Sequence, residues 1–523
     1  MGLLDLIRHM SIERQPDRGR RQVQAPDGLI ASRAKRKGSP CSPDDDSQSA
    51  EIQIYSGPNL PEDILCHIHS LMPMRDAAQA ACVSHAFLHS WRSHPNLDFS
   101  NTTLGLNKKT YGNDEIARDF SSKVDQILRK HSGIGVKKLK IHMFNFCNAK
   151  DSCYLDSWLQ IAVTPGIEEL ALALPRTAKY NFPYSLLSNG SGDSIRYLHL
   201  VCCSFHPTSE LKWLRTLTRL HLCDVCIKGK ELGSLLSSSF ALEQLEITYC
   251  DEIVCLKVPS MLQRLSYLKV FECSRLRMIH SQAPNISSFS FTGGHRLKLS
   301  LGETLQMKNL DMSFSGAVRY TRVELPSSMP NLETATIYSR SEIANTPMLH
   351  SKYVHLKNLS IALVAVTFSP AYDYFSLASF FVACPSLENF LLDVSQRKME
   401  HVSIFGDPSD LRQMREQHHK IKSVRILGFT SSKSLVELTC HVVENITSLE
   451  HLTLEAHQSS LRCSVPSHNC SKCSTLPIDV LMEAQRALLA IRAYIEPKVT
   501  STVKLDIVEP CRRCHATELT FLG

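Results

Sequence analysis

At 523 residues the chain is long for one compact domain, which favours two domains or a repeat array. Its 43% hydrophobic and 21% charged content are those of a soluble globular protein, so most of it can bury a core. The net charge of +7 is mild and comes largely from the N-terminal stretch, which argues against a nucleic-acid-binding body.

Nineteen cysteines need a compartment before they can be read. Met1–Met10 is too short an apolar run, and too acidic at Asp5, for a secretory signal. Leu6 stands where a myristoylation signal after Gly2 needs Ser or Thr. Glu13 and Asp17 interrupt the Arg-rich stretch that would mimic a transit peptide. No segment is apolar for long enough to cross a bilayer. The expected location is the cytoplasm or nucleus, with no membrane partner. There the thiols stay reduced, and the sequons at Asn189 and Asn445 are inert.

Residues 1–55 lack an apolar period and read as a disordered basic tail. Within it, Arg33-Ala-Lys-Arg-Lys37 beside Ser-Pro pairs resembles a nuclear import signal, and a solvated tail fits as well.

At Leu60-Pro-Glu-Asp63 the texture changes. Pro61 suits a first helical turn, where its missing N–H is not needed, and the acids complement the helix dipole. Ile64, Leu65 and Ile68 then share a face, a second helix runs through Asp76–Val83, and Phe87, Leu88 and Trp91 have helical spacing before Pro95. Three short helices over residues 56–100 make a small core, which suits docking on a partner. A polar, helix-tolerant connector follows over 101–135, including Asp114–Lys130.

From Val136 a pattern L-x-x-L-x-L recurs. Ile195-Arg-Tyr-Leu-His-Leu200, Leu217-Thr-Arg-Leu-His-Leu222, Leu242-Glu-Gln-Leu-Glu-Ile247 and Leu265-Ser-Tyr-Leu-Lys-Val270 are four copies. Others begin at Val136, Ile167, Ile286, Met307, Leu332, Leu356, Leu387, Ile421 and Leu449. From Ile195 to Leu356 the starts are 21 to 25 residues apart, inside the period of leucine-rich repeats. The later gaps of 31, 34 and 28 imply insertions. Each short strand can bury its apolar side chains only against neighbouring turns, so the copies must stack. The expected fold is α/β: a small all-α box, then a right-handed leucine-rich-repeat solenoid over 136–457 with a parallel sheet on its concave face. Strands are expected near 197–201, 219–223, 244–248 and 267–271. Residues 458–523 are read as a capping segment. Cys203, Cys250 and Cys273 lie three residues after the last strand residue of the pattern, a slot that takes Asn or Cys inside the turn in such repeats.

Leu60-Pro-Glu-Asp-Ile-Leu65, Met74-Arg-Asp-Ala77 and Ala81-Cys-Val-Ser84 through Trp91-Arg92 resemble the F-box. With the repeats behind it, the whole chain resembles a plant F-box protein of the leucine-rich-repeat group. That resemblance implies a non-catalytic substrate receptor of an SCF-type ubiquitin ligase. Its box would dock on a Skp-type adaptor, and through it on cullin and RING subunits, while the repeats hold a protein substrate. Leu60, Pro61, Ile64, Leu65, Val83 and Trp91 match adaptor-facing or box-core positions of the family. Trp91 and Phe87 fit the core better, Leu60 and Pro61 the interface.

Between the inward leucines, the outward positions of successive strands carry His199, His221, Glu246, Lys269 and Asp311, with Tyr267 beside them, and these are candidate substrate contacts. Related plant hormone receptors hold an inositol phosphate under a basic rim; these strands concentrate no such charge, and no cofactor is expected.

Near the C-terminus, Cys470, Cys473, Cys511 and Cys514 form two CxxC pairs that could hold zinc. Their separation is long, and an amphipathic helix around Ile478–Ile495 would have to return the chain, so packing thiols fit better than a metal site. Cys511-Arg-Arg-Cys514-His515 spells a haem-attachment motif without an exported or cytochrome context. No Walker loop, HExxH or nucleophile elbow occurs. Two other readings remain open: a repeat scaffold without ligase assembly, and a zinc-dependent nucleic-acid binder, which would need a basic face.

Overall fold

The structure, a computed structural model, describes residues 61–510 except 84, 107–112, 133–134, 144–151, 189, 208–213, 295–296, 303–305, 343–351, 366–371, 397–400, 408, 415–417 and 457–476. The basic tail and all four CxxC cysteines lie outside those residues.

Three short helices come first: α1 (Glu62–Leu71), α2 (Met74–Val83) and α3 (His85–Trp91). The strands follow. They are β1 (Asn96–Phe99), β2 (Lys138–His142), β3 (Glu169–Ala173), β4 (Tyr180–Asn181), β5 (Tyr197–Val201), β6 (Cys203–Ser204) and β7 (Arg219–Cys223). Next come β8 (Gln244–Thr248), β9 (Cys255–Val258), β10 (Tyr267–Phe271), β11 (Met278–Ser281), β12 (Ser288–Thr292), β13 (Lys298–Ser300) and β14 (Asn309–Ser313). The series ends with β15 (Thr334–Ser339), β16 (Asn358–Ala365), β17 (Asn389–Gln396), β18 (Ser423–Leu427), β19 (His451–Glu455) and β20 (Lys504–Val508).

Fifteen of these strands form one sheet in the order β1-β2-β3-β5-β7-β8-β10-β12-β14-β15-β16-β17-β18-β19-β20. Every pairing in it is parallel. All thirteen L-x-x-L-x-L copies supply a strand, including the four expected to be adjacent and parallel. Their apolar residues, such as Ile195, Leu198 and Leu200 or Leu242, Leu245 and Ile247, are fully buried between turns. This is the leucine-rich-repeat solenoid. The sheet reaches further out than the repeat pattern at both ends, to β1 and β20. There the first pattern position holds His94 and Thr502 instead of an apolar residue, which hid those copies.

The backbone explains how a strand five residues long closes its turn. Cys202, Asp224, Tyr249 and Glu272, each directly after a strand, take the left-handed conformation with φ of 48 to 55°. That geometry costs a non-glycine residue roughly 1 kcal/mol or more. In return each N–H donates to the next turn, as from Asp224 to the Thr248 carbonyl at 2.8 Å and from Tyr249 to the Phe271 carbonyl at 2.9 Å. The next residue points inward. Cys250 and Cys273 are buried with their thiols against backbone carbonyls, Cys250 Sγ lying 3.4 Å from the Thr248 oxygen. These cysteines are packing groups, as their slot implies, and burial pushes the Cys273 thiol up to about 12.

Gly428 follows β18 with φ +67°, and a Cβ there would run into the Val394 carbonyl. Because the obstacle is backbone, Gly428→Ala is expected to destabilise the chain by roughly 2–4 kcal/mol. A denaturation midpoint equal to the wild type would show that the clash relaxes away.

Behind the sheet lie a second parallel sheet, β9-β11-β13, and several helices. The polar connector is the amphipathic α4 (Asn113–Lys130), burying Ile116, Phe120, Val124 and Leu128. It packs on α5 (Ser152–Ala162), where Phe120 and Trp158 have ring centroids 6.5 Å apart. After α6 (Gly229–Ser238), α7 (Ala317–Val323), α8 (Leu325–Ser328) and α9 (Ser379–Ala383), the long late repeats carry α10 (Lys433–Asn445) and α11 (Ile478–Ala490). Among the described residues no helix is long and apolar enough to cross a membrane.

Candidate functional site

Two surfaces stand out, one on the helical box and one on the sheet. Inside the box the hub is polar: His69 is buried, with Nε2 2.8 Å from the Ala77 carbonyl and Nδ1 2.7 Å from Ser90 Oγ. Its ring packs on Phe87 at 5.0 Å and edge-on to His94 at 5.6 Å. With Met74, Ala77 and Ala81 as the buried apolar residues among those described in α1–α3, the box leans on the repeats for stability. Asn96 Nδ2 donates to the Ser70 carbonyl at 3.0 Å, Ser132 N–H donates to the Arg92 carbonyl at 2.7 Å, and the Asp98 N–H points at Met74 Sδ. Burial, and then the neighbouring His69, lower the pKa of His94 at this junction.

The exposed surface of α1 carries an apolar stripe among its charged residues. Ile64 is 42% exposed, Ile68 40% and Leu71 73%, and they succeed one another along α1 at helical spacing. Leu88 on α3 is 39% exposed. Of the residues expected from sequence, Pro61 and Ile64 are exposed, while Leu65 is half-buried and Trp91 packs against the core. Leu60 and the side chain of Val83 lie outside the described residues. Sequence reading left Ile68, Leu71 and Leu88 off the docking set, although the i, i+4, i+7 spacing of Ile64, Ile68 and Leu71 was there to read.

On the sheet, the face turned away from the core carries one column of paired positions: Lys140, Ala171, His199, His221, Glu246, Lys269, Ser290 and Asp311. Five expected contacts therefore share a column, and Tyr267 lies one row away, opposite Gln244 and Ser288. Glu246 sits between His221 at 3.8 Å and Lys269 at 3.7 Å. Asp311 accepts from Ser290 Oγ at 3.5 Å, and burial raises its pKa despite that bond and the nearby Lys269.

His199 departs from the exposure expected of it, being 6% exposed. Its ring stacks on His221 with centroids 4.3 Å apart and planes 6° from parallel, and on Tyr197 at 6.0 Å. Burial first, then the charges of His221, His142 and Lys140, push its pKa down to about 2, so it is neutral at physiological pH. Arg219 lies over the Tyr197 ring at 4.7 Å. Lys140 was missed, although the same phase rule applied to the copy at Val136 gives it.

No group of three or more His, Cys, Asp or Glu among the described residues could hold a metal.

The leucine-rich-repeat domain family described as At1g61320/AtMIF1 matches residues 127–512, and the F-box domain matches residues 58–99. The chain belongs to this family, as a leucine-rich-repeat protein headed by an F-box. Among its relatives, the F-box/LRR-repeat protein At5g02910 of Arabidopsis thaliana is 24% identical over 53% of this chain and 59% of its own length. The chain thus spans about three fifths of that relative. The putative FBD-associated F-box protein At1g61330 of the same plant is 21% identical over 78% of this chain and 93% of its own. Among solved structures, an internalin (inlF) from Listeria monocytogenes aligns over 64% of this chain and 87% of its own at 12% identity and a TM-score of 0.35.

Proposed function

We propose that this F-box protein is the non-catalytic substrate-recognition subunit of an SCF-type ubiquitin ligase. The box docks on a Skp-type adaptor, which joins it to cullin and RING subunits, and the open face of the sheet holds the target protein. The observation that most supports this reading is the outward stripe of Ile64, Ile68 and Leu71 on a box that matches the F-box. A stripe of this kind on a small domain asks for a covering partner. Pro61 and Ile64 belong to that contact in this reading, while Leu65 and Trp91 hold the box together.

Burying one Ile or Leu side chain contributes roughly 1.5–3 kcal/mol. Replacing Ile68 and Leu71 by Asp removes two such groups and adds charge where the partner sits. Adaptor affinity should then fall at least about a hundredfold. Both side chains face solvent, so circular dichroism should be unchanged. Equal adaptor capture by a folded double variant would sink the docking reading and leave a repeat scaffold without ligase assembly.

A further inference from the structure

Charge is left unanswered on the back of the array, away from the open face. In the small sheet β9-β11-β13, Leu256, Val258, Ile279 and Ser281 turn inward and are buried. The outward positions are Cys255 and Lys257 on β9, Met278 and His280 on β11, and Lys298 and Ser300 on β13. Register sets them in two rows, Cys255-Met278-Lys298 and Lys257-His280-Ser300. None of the six is acidic. Lys257 and Lys298 are exposed, and so is Arg277 at the start of the middle strand.

Among the described residues these three cations have no carboxylate partner; the Arg277 guanidinium reaches the Ser274 carbonyl alone, at 3.4 Å. The neighbouring acids are already engaged. Asp251 accepts the Ser274 N–H at 2.7 Å, and Glu252 pairs with Arg275 at 3.7 Å. Glu231, on the α6 that packs beside β9, accepts the Lys228 N–H at 2.8 Å and lies 3.2 Å from His206.

Met278 stands in the middle of the group. Arg277 precedes it, Lys298 is beside it in its own row, and Lys257 lies diagonally across on β9. The outer strands are about 10 Å apart, and an extended chain advances about 7 Å every two residues, so alternate side chains of one segment can meet successive cations. A surface of one sign attracts and orients a partner of the other, and half-buried Met278 adds apolar contact at the centre. No Phe, Tyr or Trp occupies an outward position to stack a base, and three cations on a short sheet make no track for a phosphate backbone. A polypeptide fits better than a nucleic acid.

We propose that the outward face of β9-β11-β13 is a second interaction surface, which takes an acidic protein segment whose carboxylates meet Lys257, Arg277 and Lys298 around Met278. It lies behind the main sheet and does not depend on the ligase reading.

The test uses the full chain and a fluorescent short polyglutamate peptide, followed by anisotropy at low and high salt. Polyglutamate should bind saturably, and more weakly at high salt, as screened ion pairs require. Lys257→Glu with Lys298→Glu should weaken binding by about tenfold or more. Lys257→Gln with Lys298→Gln, which removes charge and keeps the side chains long, should weaken it severalfold. Lys140→Glu, on the open face, should leave it unchanged, and a single-stranded oligouridylate of matched charge should bind more weakly than the peptide. Circular dichroism on the same samples checks the fold, and adaptor capture should be retained by every variant. Absence of saturable binding, equal binding of polylysine, or a folded charge-reversed variant that binds like wild type would overturn the proposal. So would loss of binding in Lys140→Glu, which would move the site to the open face, or tighter binding of the oligouridylate, which would make this a nucleic-acid surface.

Discussion

Replacing Glu483 by Ala should cost roughly 2–4 kcal/mol, since it strands two buried donors at about 1–3 kcal/mol each. Glu483 lies on the inner side of α11, and its side chain is 3% exposed. Its Oε1 accepts the Ser431 N–H at 2.7 Å and lies 3.1 Å from His401 Nε2, while Arg486 donates to Oε2 at 2.9 Å. Burial alone would raise its pKa, yet the bonds from His401 and the Ser431 N–H hold it down at about 2. Truncation leaves the Ser431 N–H and His401 Nε2 facing a void, while the half-exposed Arg486 turns to solvent. Because each turn of a solenoid is held by its neighbours, the damage should concentrate at α11 and β20. Hydrogen exchange should therefore show early opening there, with the denaturation midpoint lowered. Ser431, His401 and Glu483 do not make a catalytic triad, since serine and carboxylate meet the same ring nitrogen and all three are buried. A Glu483→Ala protein within about 1 kcal/mol of wild type would mean the network contributes little.

The second large effect is acid sensitivity well above the carboxylate range. His199 is held at about 2 by burial and its cationic neighbours. His441 on α10, buried against Phe381 and 5.6 Å from His418, is held at about 4 by burial and then by His418. Both resist protonation when folded, whereas the unfolded chain takes up their protons below the ordinary value near 6.5. The stability they confer is complete above that pH and falls as pH drops, down to about 4 for His441 and further for His199. Each group contributes a slope of up to about 1.4 kcal/mol per pH unit. At pH 5 the pair should cost on the order of 4 kcal/mol relative to pH 7.5, a large part of an ordinary domain's stability. His94 and His131, also lowered by burial, act in the same direction. Chemical denaturation at the two pH values measures this, and His441→Phe should flatten the dependence. Identical midpoints at pH 7.5 and pH 5 would show that these imidazoles are not held neutral.

The repeat array was legible because its signal is redundant: an inward leucine out of phase in one copy is outvoted by a dozen others. Single-copy information was harder to read. The end strands β1 and β20 were hidden by His94 and Thr502. The sheet β9-β11-β13 was hidden by its brevity, with alternation lasting three or four residues in Cys255–Val258 and Met278–Ser281. Alternation places His199 in one column with His221 but cannot foresee its burial, since the ring stacked on it belongs to the neighbouring strand. The box shows the same limit. Sequence order identified three helices, yet which apolar residues face solvent depends on where Met74 and His94 rest on the repeats.

Titration of the purified full chain with a panel of Skp-type adaptors tests the central claim most directly. A one-to-one complex with at least one adaptor is expected, abolished by the Ile68 and Leu71 substitutions. A folded wild-type protein that captures no adaptor from the panel would contradict it.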